Sequence, residues 1–175
     1  MDPRSVAKRL ASEEHQQTAH RLYTLVFPMD RPNGRVLLGM KKRGFGKGKY
    51  NGFGGKVEAQ ESVEEGAARE LLEESRVTAK TLDKRGILFF YFAGDPVAME
   101  VHVYVVDEYA GEPGETEEMK CEWFSVDDMP FAKMWADDKE WWPVMMDGQR
   151  FVGRFWFQDD MTTITRREVV PVDGW

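Results

Sequence analysis

Apolar residues along this chain fall into short runs of period two and two stretches of helical period, with turn residues between them. Residues 22–27, Leu-Tyr-Thr-Leu-Val-Phe, predict a strand, and Pro28 to Gly34 predicts a turn rich in Pro, Asp, Asn and Gly. Residues 35–41, Arg-Val-Leu-Leu-Gly-Met-Lys, predict a second strand, apolar enough to be buried on both faces. Residues 86–93, 99–109 and 121–125 predict three more, the middle one by clean alternation, and 151–157 with 162–170 reads as a closing hairpin. A helix is expected just after Ser62: Ser62 and Glu65 have capping-box spacing, and Val63, Ala67 and Leu71 recur every four residues. A second helix is expected after Trp135-Ala136-Asp137-Asp138, ending near residue 147, with Pro143 tolerated in its early turns. Asp137 and Glu140 also have capping-box spacing, so on residues alone Asp137 reads as a cap of that helix. Many strands in mixed order with two main helices predict a sheet-based α/β sandwich. Residues 1–20 read as a frayed polar extension and 21–175 as a single domain, without repeats or an internal linker.

The first helix carries carboxylates where a solvated helix would not. Glu70 and Glu74 fall along the edge of the stripe made by Val63, Ala67 and Leu71, and Glu73 lies beside Glu70. Like charges on a buried side repel and are costly to desolvate, so a cation is expected among them. No His or Cys stands nearby, and an oxygen-only donor set selects a hard cation, Mg²⁺ or Mn²⁺. Gly66, one turn before Glu70, is expected to let the Gly54-Gly55 loop approach and add a backbone carbonyl. Arg69 is placed to pair with Glu73 or Glu61 and orient carboxylates. The loop from Lys42 to Lys49 is loaded with glycine and cations, and beside an acidic metal site it reads as a landing place for phosphate oxygens.

Charge and cysteine content narrow the partners. A net charge of −7 argues against a nucleic-acid polymer, while leaving room for a small triphosphate brought in by a metal and local cations. Cys121 stands alone, so a reducing compartment is expected, the cytoplasm first, with a nuclear or mitochondrial fraction open. Arg4, Lys8 and Arg9 hint at a transit peptide, but Asp2, Glu13 and Glu14 count against one. No apolar run reaches membrane-spanning length and no secretory signal is seen, so no membrane partner is expected. A length of 175 residues suits one domain, expected as a monomer.

Gly55, five residues, Glu61, seven residues, then Arg69-Glu70-Leu71-x-Glu73-Glu74 resembles the signature box of the Nudix hydrolases. One position departs: Arg76 stands where the family usually has Gly, near the helix C-terminus, where a left-handed conformation is common. The resemblance implies a Nudix fold, a mixed β-sheet sandwiched between helices, and hydrolysis of a nucleoside diphosphate linked to another group. It implies metal held by Gly54, Gly55, Glu70, Glu73, Glu74 and Glu118. Either Glu74 or Glu118 would be the general base. Residues 21–26, 35–46, 51–57 and 134–138 extend the likeness toward family members that cleave 8-oxo-dGTP and 2-hydroxy-dATP to the monophosphate and pyrophosphate, which keeps damaged bases out of DNA. By that likeness Asn51, Asp137 and Asp138 would read the purine edge and Trp135 would stack on the base. Thr24, Phe45, Phe90, Phe92, Met99 and Trp141 would surround the pocket, with Lys41 near sugar and phosphate. Read as residues alone, Trp135, Trp141, Trp142, Phe90 and Phe92 fit a core as well, and His102 fits a satisfied strand position. Two neighbouring acids in an aromatic pocket are expected to share a proton. Other readings are a Nudix hydrolase of ADP-ribose, dinucleoside polyphosphates or methylated purine nucleotides, and a noncatalytic nucleotide-binding module.

Overall fold

Strand β1 (Ala19–Asp30) is where the two parts of the sheet meet in the computed structural model, which describes residues 19–175. It runs parallel to β6 (Val97–Val106) and then, through Met29 and Asp30, antiparallel to β2 (Arg35–Lys41). On the far side of β6 lie β5 (Asp83–Phe92), β9 (Arg150–Phe157) and β10 (Ile164–Val172), in the order β10-β9-β5-β6-β1-β2. Beyond the pairs at Val36 and Arg35, β1 and β2 part. Strand β3 (Tyr50–Asn51) and the residues after it occupy the gap: Asn51 pairs with Gly39 of β2, and Phe53 bridges to Val26 of β1. Strand β8 (Met119–Ser125) takes the other edge of β2, and a small second sheet joins β4 (Thr78–Ala79) to β7 (Tyr109–Ala110). The splayed β1–β2 gap is what gives the chain a cavity between strands.

Helix α1 (Val63–Ser75) begins as its sequence dictates. Ser62 Oγ accepts from the Glu65 N–H at 3.1 Å, and the Ser62 N–H donates to Glu65 Oε2 at 2.7 Å, which satisfies two orphan donors of the first turn. Ala67 and Leu71 are fully buried against Val26, Leu37, Phe53 and Tyr104. Burial of a leucine such as Leu71 contributes about 2 kcal/mol. The helix ends on Arg76 in the left-handed region, φ 64°. Helix α2 (Asp138–Met146) packs Trp141, Trp142 and Met145 against Phe27, Phe151 and Phe155. Because side chains alternate along β1, Val26 faces α1 while Leu25 and Phe27 face α2, so the mixed sheet lies between the two helices as expected. β2 is buried on both faces for the same reason: Leu37 joins the α1 side, Val36 and Leu38 the α2 side.

Several boundaries differ from expectation: β5 begins at Asp83, β6 ends at Val106 and β10 runs from Ile164 to Val172. Pro28 and Met29 belong to β1, because Pro28 sits at the last β1–β6 pair, where a missing N–H is cheap, and Met29 is buried. The turn is the short 3₁₀ helix Arg31–Asn33, closed by Gly34 at φ 59°. Ala19 and His20 are in β1, so the expected boundary after residue 20 falls inside a strand; the remainder of the extension lies outside the described residues. Finally, no capping box forms at α2. Asp137 has helical φ/ψ and no cap hydrogen bond, and Glu140 instead accepts from Arg167 at 2.6 Å. Among the described residues no helix is long and apolar enough to cross a membrane.

Candidate active site

Gly54 and Gly55 form a wall with a pocket on one side and the helix carboxylates on the other. The pocket is a cavity of about 250 Å³. Thr24, Lys41, Phe45, Asn51, Gly54, Gly55, Phe90, Phe92, Met99, Trp135, Asp137 and Asp138 all line it, although they come from five strands, three loops and α2. Phe45, 61% exposed, stacks on Trp135 with centroids 5.0 Å apart and planes at 25°, and Lys49 Nζ lies 5.1 Å from the Trp135 ring centroid. Asn51 Oδ1 accepts the Gly52 N–H at 2.8 Å, so the donor of this lining amide is its Nδ2. Phe90 and Phe92 are both lining and core, since they also pack on Phe155 and Phe157. The Thr24 hydroxyl is buried without a partner.

Trp141 is the exception among the expected lining residues. It is fully buried beneath the pocket, because its ring stacks on Phe151 in the α2 core, and it reaches the site only through its Nε1–H, which donates to Asp137 Oδ2 at 2.9 Å. Asp138 Oδ2 accepts the Trp135 N–H at 3.0 Å. Both acids are nearly excluded from solvent, 4% and 2% exposed. Burial pushes both carboxyls above their usual range, and for Asp138 the neighbouring Asp137 adds to the shift. The Trp141 donor works against the shift at Asp137; the Trp135 N–H and the Lys49 charge work against it at Asp138. Such a pair titrates as a unit and favours holding one proton between its members.

On the far side of the glycine wall, the Gly54 N–H donates to Glu74 Oε2 at 2.9 Å. Gly54 lies so close to β1 that a Cβ there would sit 1.8 Å from the Thr24 carbonyl oxygen. At Gly55 a Cβ would come within 2.6 Å of Glu70 Oε1, so the bare backbone makes a cradle for that carboxylate. Arg69 binds Glu61 through Nε and Nη2, and reaches Glu70 at 2.8 Å and Glu73 at 3.3 Å through Nη1. The Arg69 guanidinium, with the Glu58 N–H, holds the Glu61 carboxyl down at about 2. Burial, with the like charges of Glu70 and Glu118, pushes Glu74 up to about 7, against the pull of the Gly54 N–H and Lys41. Glu118 is taken by Arg43 through Nε at 2.9 Å.

The expectation for Gly66 fails here. Gly66 does not admit the Gly54-Gly55 loop; the space a Cβ would fill belongs to the Glu61 carboxylate and Val57, because Arg69 draws Glu61 onto the helix. The cations of the loop at residues 42–49 are largely engaged: Lys42 with Glu115 at 2.7 Å and the Thr116 carbonyl at 2.8 Å, Arg43 with Glu118, and Lys49 over Trp135. His102 is only half satisfied: Nε2 pairs with Glu100 at 2.9 Å while buried Nδ1 has no partner. Burial pushes the Cys121 thiol up to about 11, which leaves it unreactive at neutral pH.

Among the described residues no three carboxylate, His or Cys side chains already converge as a closed cage. The donor set nevertheless fits a hard divalent cation. It offers carboxylate and backbone oxygens alone, Glu70 fills a cradle against Gly55, and Glu74 is buried with the like charges of Glu70 and Glu118 close by.

Nine further residues line the pocket that were not among those expected there: Tyr23, Leu25, Gly46, Lys49, Gly52, Val101, Met119, Phe157 and Met161. Period two could have found Val101 from Met99 on one strand. Met161, in the β9–β10 turn at φ 59°, carries no such signal.

Residues 19–145 match the model of the NUDIX domain. The chain is 54% identical over 138 residues to the oxidized purine nucleoside triphosphate hydrolase of Danio rerio, covering 79% of this chain and 87% of that protein. It is 51% identical over 145 residues to the protein of the same name from Mus musculus, covering 83% and 92%. Among solved structures, the crystal structure of the MutT protein from Bacillus halodurans superposes with a TM-score of 0.75 at 26% identity, covering 85% of this chain and 97% of that one.

Proposed function

The chain belongs to the NUDIX family, and on that premise we propose that it hydrolyses oxidised purine nucleoside triphosphates, 8-oxo-dGTP and 2-hydroxy-dATP among them, to the monophosphate and pyrophosphate. In this reading it is a monomeric enzyme that clears damaged nucleotides before DNA synthesis. The observation that carries the reading is the pairing of two buried adjacent acids under a tryptophan with a carboxylate cluster just across the Gly54-Gly55 wall. Such a pocket reads a flat polar base while its phosphates reach the acids.

The purine stacks on Trp135, with Phe45 at the rim and Phe90, Phe92 and Met99 along its edges. Asn51 donates through Nδ2 to a base oxygen. The Asp137–Asp138 pair holds one proton, so one carboxyl donates while the other accepts. Moving that proton between them suits a guanine, which presents an acceptor at its six position, or an adenine, which presents a donor there. Lys41 lies toward the sugar and phosphates. Glu70, Glu73, Glu74 and Glu118 with the Gly54-Gly55 backbone would hold the divalent cation, Mg²⁺ first and Mn²⁺ as a substitute. A cation held there would supply positive charge against the phosphates. Glu74, buried and aimed by the Gly54 N–H, takes the proton of the attacking water, with Glu118 as the second candidate. Arg69 keeps Glu70 and Glu73 in place.

The test is product analysis. Incubation of 8-oxo-dGTP with the protein and Mg²⁺, followed by anion-exchange chromatography, is expected to give nucleoside monophosphate and pyrophosphate in equal amounts. Nucleoside diphosphate with orthophosphate would overturn the assignment.

A further inference from the structure

The cationic loop at residues 42–49 touches both ends of the site. At one end Arg43 donates to Glu118 Oε1 through Nε at 2.9 Å and Nη2 at 2.5 Å, and the Lys42 N–H donates to the Glu118 carbonyl at 2.8 Å. Two residues beyond Arg43, Phe45 lies on Trp135. At Gly46 a Cβ would stand 3.0 Å from the same indole, and Gly44, Gly46 and Gly48 all have positive φ, so the loop is wound tightly against it. Trp135 in turn donates its N–H to Asp138. A continuous path therefore runs from an acid of the cation site, through Arg43 and Phe45, to the base-stacking indole and the base-reading acids.

We propose that Arg43 is the resident counter-cation of Glu118, that a divalent cation displaces it, and that its release resets the Phe45–Trp135 stack, coupling the phosphate end of the pocket to the base end. This deepens the function proposed above and rests on it. Both guanidinium nitrogens bind the same oxygen, Glu118 Oε1, so a cation that takes this oxygen must displace Arg43. The pair is easily exchanged, because its side chains are 61% and 39% exposed. Exchange strands no buried charge, since the freed guanidinium remains in solvent, with five donors open to phosphate oxygens once a nucleotide arrives. Arg43 is thus a positioning residue, acting through Glu118 and Phe45.

The test measures Mn²⁺ binding without nucleotide, from the free-ion electron paramagnetic resonance signal, for wild type, Arg43→Ala and Arg43→Lys. Arg43→Ala is expected to bind Mn²⁺ about fivefold tighter, the factor an exposed ion pair of this kind is worth, with Arg43→Lys between. In parallel, Mg²⁺ is titrated while tryptophan emission is followed, with Trp135→Phe identifying the Trp135 contribution among the six tryptophans. Wild type is expected to show a Mg²⁺-dependent Trp135 change, and metal-free Arg43→Ala to resemble Mg²⁺-loaded wild type. Unchanged or weaker Mn²⁺ binding by Arg43→Ala, or no Trp135 response to Mg²⁺, would overturn the coupling. If wild type in the same preparation hydrolyses 8-oxo-dGTP, only the coupling has failed; if it does not, the proposed function has failed with it.

Discussion

Trp141 donates its indole N–H to Asp137 at 2.9 Å from a position fully out of solvent, so the tryptophan that does not line the pocket controls an acid that does. A bond to the ionised carboxylate favours that form, and its loss raises the titration of the pair. A hydrogen bond to a charged group is worth about 1.5–3 kcal/mol, or roughly one to two pH units. Trp141→Phe is therefore expected to move the pair's limb of the kcat/KM profile for 8-oxo-dGTP to higher pH by about that much. A profile that keeps its limb would show that the bond is structural alone.

Asp137→Asn and Asp138→Asn are expected to harm 8-oxo-dGTP and 2-hydroxy-dATP unequally. A fixed amide cannot move its donor, whereas a shared proton can serve two base patterns. The check is kcat/KM for both substrates in both variants across pH. Equal losses on the two substrates would remove the shared-proton account.

Glu73→Gln and Glu74→Gln are expected to lower turnover close to background while the fold persists. For Glu74 the metal-free protein adds a second readout. Its folded pKa, raised to about 7, means the folded state holds a proton that the unfolded chain has released, so stability falls as pH rises from about 4.5 to about 7. Glu74→Gln, with an amide oxygen still able to accept from Gly54, is expected to gain on the order of 2 kcal/mol in chelator above pH ~7, and little below pH ~5. Denaturant unfolding at several pH values tests this; a pH-independent difference would contradict it.

Arg76→Gly is expected to stabilise the protein by about 1 kcal/mol, because Arg76 ends α1 at a positive φ that glycine adopts without penalty. A lower melting temperature would mean that contacts of the Arg76 side chain outweigh its backbone strain.

What the sequence made legible was local and periodic. The Ser62–Glu65 box placed the start of α1, four-residue spacing placed its buried face, and period two placed the strands. Of the α1 carboxylates expected on the apolar side, Glu74 is buried and Glu70 half-buried, while Glu73 faces solvent. Illegible features depend on which distant segments meet. Arg43 finds Glu118 across 75 positions, and Arg69 pulls Glu61 against Gly66 where a loop was expected. Asp137 had the right spacing for a cap, yet an indole one helical turn away claimed its carboxylate. Pro28 looked like a turn because proline usually breaks a ladder, but here it lies where the ladder ends.

The most direct test of the account is kcat/KM for pyrophosphate release, with Mg²⁺, from 8-oxo-dGTP, 2-hydroxy-dATP, dGTP and dATP, with ADP-ribose and diadenosine polyphosphates followed by their own products. The account expects the two oxidised purines to exceed their normal counterparts by tenfold or more, since each discriminating polar contact is worth ~1–3 kcal/mol. Equal rates on oxidised and normal triphosphates, or a preference for ADP-ribose or a dinucleoside polyphosphate, would contradict it.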